Sequence, residues 1–166
     1  MIFGITTFTL IHVVFSLVGI IAGLVVAGGL VAGKRLDRWA VVFLVTTILT
    51  SATGFGFPFV KFLPSHAVGI VSLVVLPVVI VAHYVKHFAG AWRRTYVVGV
   101  VLATYLNAFV LVAQLFRRIP VLFLAAPTQS EPPFALTQAL VLAFFIWLAV
   151  AAVKGFRAEP AAAQMK

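Results

Sequence analysis

An all-α bundle of five transmembrane helices is the fold this sequence predicts, as a single domain over residues 1–158 with a short cytoplasmic tail at 159–166. Three observations carry that expectation. Hydrophobic residues make up 64% of the chain and charged residues only 9%, against a charged share of roughly 25% in a soluble domain. Mean hydropathy is +1.22. The apolar residues also fall into five runs, each near the roughly 20 residues a bilayer demands, separated by short turns in which Lys and Arg gather.

The first span, 5–30, is uncharged and slightly longer than the bilayer needs, so it tilts or protrudes. No basic residue precedes it and it exceeds a typical signal-peptide core, so it reads as a retained helix. His12, Ser16, Gly19 and Gly23 recur at i, i+4, i+7 and i+11, which places them on one helix face. Gly19 and Gly23 form a GxxxG pair that admits a close neighbour, so this face should lie against protein, including a second copy or a larger membrane complex. Gly33 then suits a helix end, and Asp37 suits the start of the next helix, where the dipole favours a negative charge.

The second span, 39–57, carries the most unusual stretch of the chain. Thr46, Thr47, Thr50, Ser51 and Thr53 crowd hydroxyls into a segment expected to lie in hydrocarbon, where an unpaired polar group is costly. Such groups should face other helices, water or a ligand. The helix loosens at Gly54, Gly56 and Pro58, ahead of a loop at 59–64. The third span, 66–85, opens after Pro64 and Ser65, a capping pair, and is expected to bend at the internal Pro77.

The fourth span, 97–116, aligns Thr104, Asn107, Leu111 and Gln114 near one stripe, so its polar residues look inward together. Arg117 and Arg118 end it. The connection 119–133 holds Val121 to Ala126, too short to cross but apolar enough to lie in the interface, then a turn in which Ser130 is the expected cap and Glu131 favours the helix dipole. The fifth span, 134–153, enters with Thr137 and Gln138 and leaves through Trp147 and Lys154.

Lys34, Arg35, Arg38, Lys86, Arg93, Arg94, Lys154, Arg157 and Lys166 share one side of these spans; Lys61, Arg117 and Arg118 share the other. Nine against three puts the first side in the cytoplasm, with the N-terminus outside and the C-terminus inside. A bacterial-type inner membrane is the simplest setting. The net charge of +9 is therefore read as topology and not as a nucleic-acid surface, because the cations are scattered between apolar runs.

With this orientation, a rise of about 1.5 Å per residue places His12 roughly 9 Å and His66 roughly 14 Å to the outer side of their spans' midpoints. Thr50, Ser51, Thr53, Gln114, Thr137 and Gln138 fall at similar depth, with Asn107 below them. The expectation is a polar pocket in the outer half, built from all five spans and lined by His12, Thr50, Ser51, Thr53, His66, Asn107, Gln114 and Gln138. Its occupant would be b-type haem, with His12 and His66 as iron ligands, or a quinone. In the blander reading His12 hydrogen-bonds Thr50 or Ser51 across a helix pair and stabilises by under about 1 kcal/mol. His83 and His87, four apart, form a weaker metal pair lacking a nearby acid, and read more readily as interfacial residues.

Several activities are poorly served. The carboxylates are Asp37, Glu131 and Glu159, none within a span, so neither a two-carboxylate site nor a Ser-His-Asp triad is in place, and HExxH and phosphate-binding glycine motifs do not occur. With no cysteine there is no thiolate ligand or nucleophile. The chain thus reads as a non-enzymatic membrane protein that binds a small cofactor for an electron-transfer or transport system, or else as an accessory subunit without a ligand.

Overall fold

A computed structural model describes residues 6–57 and 64–157 of the chain. Six helices follow in order: α1 (Thr7–Val31), α2 (Asp37–Gly54), α3 (Pro64–Ile80), α4 (Trp92–Arg118), α5 (Pro120–Ala125) and α6 (Pro132–Gly155). Among the described residues there is no strand. The expected tail at 159–166 and most of the 59–64 loop lie outside them, as do Lys61 and Lys166.

Four segments are long and apolar enough to cross a membrane: Thr7–Val31, Ser65–Val85, Trp92–Arg118 and Pro132–Gly155. They correspond to the expected first, third, fourth and fifth spans. Helix α2, with 18 residues, does not join them on composition. Asp37 and Arg38 sit in its first turn and five hydroxyls follow, which lowers its hydropathy despite a length near 27 Å at about 1.5 Å per residue.

The pairing of residues sets the topology. His12 meets Thr53, Gly19 meets Thr47, and Gly23 meets Phe43, so positions rise on α1 as they fall on α2. These two helices are antiparallel. The same reasoning makes α4 antiparallel to α1 (Gly19 with Asn107, Gly23 with Thr104), to α3 and the turn that continues it (Gly99 with Val79, Tyr96 with His83) and to α6 (Tyr105 with Phe145, Phe116 with Phe134). Helices α1, α2, α3 and α4 close a ring, each touching the next, and α6 lies outside it in the groove between α1 and α4.

Chain ends within the bundle are specified locally. Thr6 caps α1 by accepting from the Thr9 amide at 3.2 Å. At the other end Gly33 takes φ 72, and the Gly33 and Lys34 amides return to the Leu30 and Gly29 carbonyls. Arg93 donates to the carbonyls of Val153 and Phe156, setting a cation on the C-terminal carbonyls of α6. Helix α3 runs on through Pro77, where the sequence led us to expect a bend, and is followed by a widened π turn at Val81–Val85, closed by Lys86 N to Val81 O at 2.8 Å.

Inside the ring the packing is dense and apolar at the end holding Val26, Leu30, Phe43, Leu76, Val79 and Val97. Hydrocarbon supplies no hydrophobic drive for helix association, so close van der Waals contact has to hold these helices together. Gly19 and Gly23 provide it: a Cβ on Gly23 would lie 2.2 Å from Thr104 Oγ1 and 3.0 Å from Phe43. The glycine face expected to serve a partner is therefore covered by α2 and α4 of the same chain.

The connection to α6 also departs from expectation. Glu131, not Ser130, occupies the N-cap position, and its carboxylate makes no cap bond. It accepts instead from the Thr128 amide (3.1 Å) and hydroxyl (2.8 Å) and from the Ser130 amide (3.0 Å). Gln129, at φ 61, reaches back to donate to the Ala113 carbonyl. A carboxylate able to collect three donors wins over a single serine hydroxyl.

Candidate functional site

Hydroxyls in the second helix do less for the cavity than their number implies, because most are satisfied by their own backbone. Thr46 donates to Val42 O, Thr50 to Thr46 O at 2.8 Å, and Thr53 to Leu49 O at 2.6 Å. This i−4 back-bonding is the local partner a threonine finds when water is absent.

His12 is anchored on the same hydroxyls. Its Nδ1 lies 2.8 Å from Thr53 Oγ1, which is itself 2.6 Å from Leu49 O; the imidazole tautomer sets which of the two donates. Edge-on contact with Phe57 at 5.1 Å holds the ring in place. The blander expectation had His12 bonded to Thr50 or Ser51; the partner is Thr53, one turn further along.

A cavity of about 360 Å³ opens inside the four-helix ring, toward the end where α1 and α3 begin and α2 and α4 finish. That is within the few-hundred-Å³ range of small-ligand sites. Helix α1 brings His12 and Ser16, α2 brings Thr50 and Ser51, α3 brings His66 and Ser72, and α4 brings Asn107, Gln114 and Arg118. Apolar walls from Leu17, Val68, Val110 and Leu111 lie between them. Among the described residues the lining holds no carboxylate, and Arg118 gives its rim a positive charge.

Six of the eight expected pocket residues thus come together: His12, Thr50, Ser51, His66, Asn107 and Gln114. Thr53 stands behind His12 and is not part of the wall. Gln138 is elsewhere. It lies on α6 outside the ring, where its Nε2 donates to Phe109 O at 3.1 Å and its buried Oε1 has no hydrogen-bond partner. Thr137 is spent on Pro133 O at 2.8 Å. Depth placed both residues at the right level, but a helix outside the ring cannot present them to its interior.

Several polar lining residues are buried: Ser72, Ser51, Thr50, His66 and Asn107. His66, 7% exposed, stacks on Phe55 with ring centroids 6.1 Å apart. Asn107 is 6% exposed, and its Nδ2 has no hydrogen-bond partner. That nitrogen is buried on the α1 side, near Gly19, and leaving it without a partner costs on the order of 1–3 kcal/mol.

Ser72 and Arg118 are lining residues that sequence reasoning missed, and both were within reach of the periodicity. His66, Gly69 and Ser72 follow one face of α3, and Asn107, Leu111, Gln114 and Arg118 recur at i, i+4, i+7 and i+11. Arg118 had been read only as a charge ending a span.

His83 and His87 lie at the opposite end and do not form the helical i, i+4 pair expected of them. The helix stops at Val85, and His87 turns off at φ 43. His83 is buried beside Tyr96 and Phe88, with Nε2 3.5 Å from Asp37 Oδ1. No cluster of three or more His, Cys, Asp or Glu suited to a metal ion occurs among the described residues. Comparison with protein-family models, with curated proteins and with solved structures finds no match to this chain.

Proposed function

We propose that the protein is a five-crossing integral membrane protein whose ring cavity binds a small, mainly apolar cofactor of quinone or haem type, in the service of a membrane electron-transfer or transport system. Crossing by α2 is supported by its antiparallel course along α1, from Phe43 beside Gly23 to Thr53 beside His12. A partner that spans the same depth as α1 shares its environment. The basic residues favour an outer N-terminus and a cytoplasmic C-terminus, with a bacterial-type inner membrane as the setting.

The observation that carries the ligand reading is the cavity itself: about 360 Å³, mostly apolar walls, and polar side chains that converge on it from His12, Ser16, Ser51, His66 and Gln114. Few oriented polar groups in an apolar enclosure are the signature of a small-molecule site. For haem, His12 offers Nε2 while its Nδ1 is hydrogen-bonded to a hydroxyl, as the second ring nitrogen of a metal-binding imidazole usually is, and His66 is the second candidate ligand. For a quinone, the Ser16 and Ser51 hydroxyls and the Gln114 amide supply donors to ring oxygens.

The test is gentle extraction from the native membrane, followed by a visible spectrum, metal analysis and solvent extraction of quinones. A Soret band with iron, or a quinone near one equivalent, supports the reading, and His12→Ala or His66→Ala should then abolish it while His87→Ala leaves it. A colourless, quinone-free protein recovered only with larger partners would replace it with an accessory-subunit role.

A further inference from the structure

One stripe of α1 runs past two spaces. Val13, Leu17, Ile20 and Leu24 recur at i, i+4, i+7 and i+11, on a side of the helix about 100° round from the glycine face. Val13 and Leu17 line the ring cavity, whereas Ile20 and Leu24 line a second hollow of about 320 Å³, which Ala108 of α4 and Val141, Phe144 and Phe145 of α6 help to wall. Every side chain around that hollow is apolar. Helix α4 repeats the pattern, with Ala108 in the hollow and Leu115, seven residues on, in the cavity. The two spaces therefore follow one another along the seam between α1 and α4.

The course of α6 explains why the seam is open. At one end Gly155 presses on the Val31 backbone, and Phe145 and Leu148 share a buried cluster with Ala27 and Val101. At the other end the partners of α6 are on α4: Phe134 meets Phe116, and Gln138 donates to Phe109 O. Val13 and Leu17 on α1 and Leu115 on α4 are left 39%, 40% and 40% exposed, so they are cavity wall and outer surface at once. In a bilayer that surface meets acyl chains. A chain leaving the cavity along the seam runs from one end of the bundle toward its middle, which is how the lipid tails of that leaflet run.

Resting on the cofactor reading above, we infer that the ligand is a quinone-type ring bearing a long apolar chain, which enters from the lipid through the seam between α1 and α4. Its ring occupies the cavity and its chain lies in the hollow against Ile20, Leu24 and Phe144. Such a molecule is already dissolved in the bilayer and reaches the groove without crossing water. A hollow with no polar lining holds a chain by shape and dispersion, the forces that remain when the competing solvent is itself hydrocarbon. Haem carries no such chain and would leave the hollow to bulk lipid.

The experiment uses the full chain in lipid nanodiscs, titrated with a chainless benzoquinone and with the same ring carrying a prenyl chain. Leu24→Trp fills the hollow and should weaken binding of the prenylated ring at least about fivefold, the low end of the usual cost of overpacking, while the chainless ring stays within about twofold. Comparing each ring with itself removes its partition into lipid from the result. In the unaltered protein, a prenylated ring with a photoreactive group on its chain should label Ile20, Leu24, Val141 or Phe144, and excess chainless ring should suppress that labelling. Equal loss of both rings in Leu24→Trp, no loss of either, labelling confined to other helices, or labelling that the chainless ring does not suppress, as a bilayer lipid in the hollow would give, overturns the inference and leaves the cofactor reading intact. Recovery of haem from the cavity does the same. Binding of neither ring, with no haem recovered, overturns both.

Discussion

Thr104 back-bonds to Val100 O at 2.8 Å, and its β-branched side chain is thereby pinned against Gly23 of α1, which has no side chain to oppose it. At Gly23 a methyl group would meet Thr104 Oγ1 at 2.2 Å and its Cγ2 at 2.8 Å, and a threonine held in this way does not swing aside. Gly23→Ala is expected to destabilise by about 1–3 kcal/mol, the usual cost of overpacking. Gly28 has nothing within 4 Å of an added Cβ, so Gly28→Ala should be neutral or slightly stabilising, as removing a helical glycine usually is. Thermal unfolding of both variants in the same detergent checks the pair, and equal loss from each would count against the helix contact. The small-residue face and His12 on it were legible in the sequence, because a helical period needs nothing but spacing. What covers that face was not: spacing says which residues share a side, never whether the neighbour is this chain or another.

Among the elements, the turn between α5 and α6 is the one whose stability depends on pH in a way the geometry fixes. Some desolvation raises the Glu131 carboxyl, but the hydrogen bonds from the Thr128 hydroxyl and amide and the Ser130 amide outweigh it and hold it below its ordinary value. A carboxylate depressed in the folded protein contributes stability that is fully present above the unfolded value and is lost as pH falls through the folded one. Hydrogen exchange should therefore find the Thr128 and Ser130 amides protected at neutral pH, and progressively less so, beyond the intrinsic trend, as pH drops below the ordinary glutamate range. Glu131→Gln should show the weaker protection at every pH; protection unaffected by the substitution would remove the carboxylate from this role. A cap near Ser130 was readable from Thr128, Gln129, Ser130 and Glu131, yet the choice between serine and glutamate depended on three donors converging in space. The π turn after Pro77 was likewise invisible, since no residue in Val81–Val85 announces a wider turn.

For the whole molecule, crossing number and sidedness follow from whether α2 spans. If it does, the turn after α1 and the connection between α4 and α6 lie on opposite faces; if it does not, they lie on the same one. The chain has no cysteine, so single replacements at Lys34 and Thr128 give clean reporters. Expected is labelling of the two by an impermeant maleimide from opposite sides of sealed vesicles. Reaction of both from one side would eliminate the five-crossing reading. Membrane-length apolar runs were legible from composition, and a fixed rise per residue is enough to group His12, Thr50, Ser51, His66, Asn107 and Gln114 at one level of the bundle. Azimuth was not legible. Which four helices enclose a space depends on neighbours around the ring, and this is why Gln138 was grouped with the pocket although its helix stands outside.

Because α6 leans on α1 and α4 without supplying any of the cavity wall, its outward flank at Leu136, Leu140, Ile146 and Trp147 is a remote handle on the protein. A probe or tether fixed there would report on docking and orientation while leaving the chemistry of the enclosed chamber untouched.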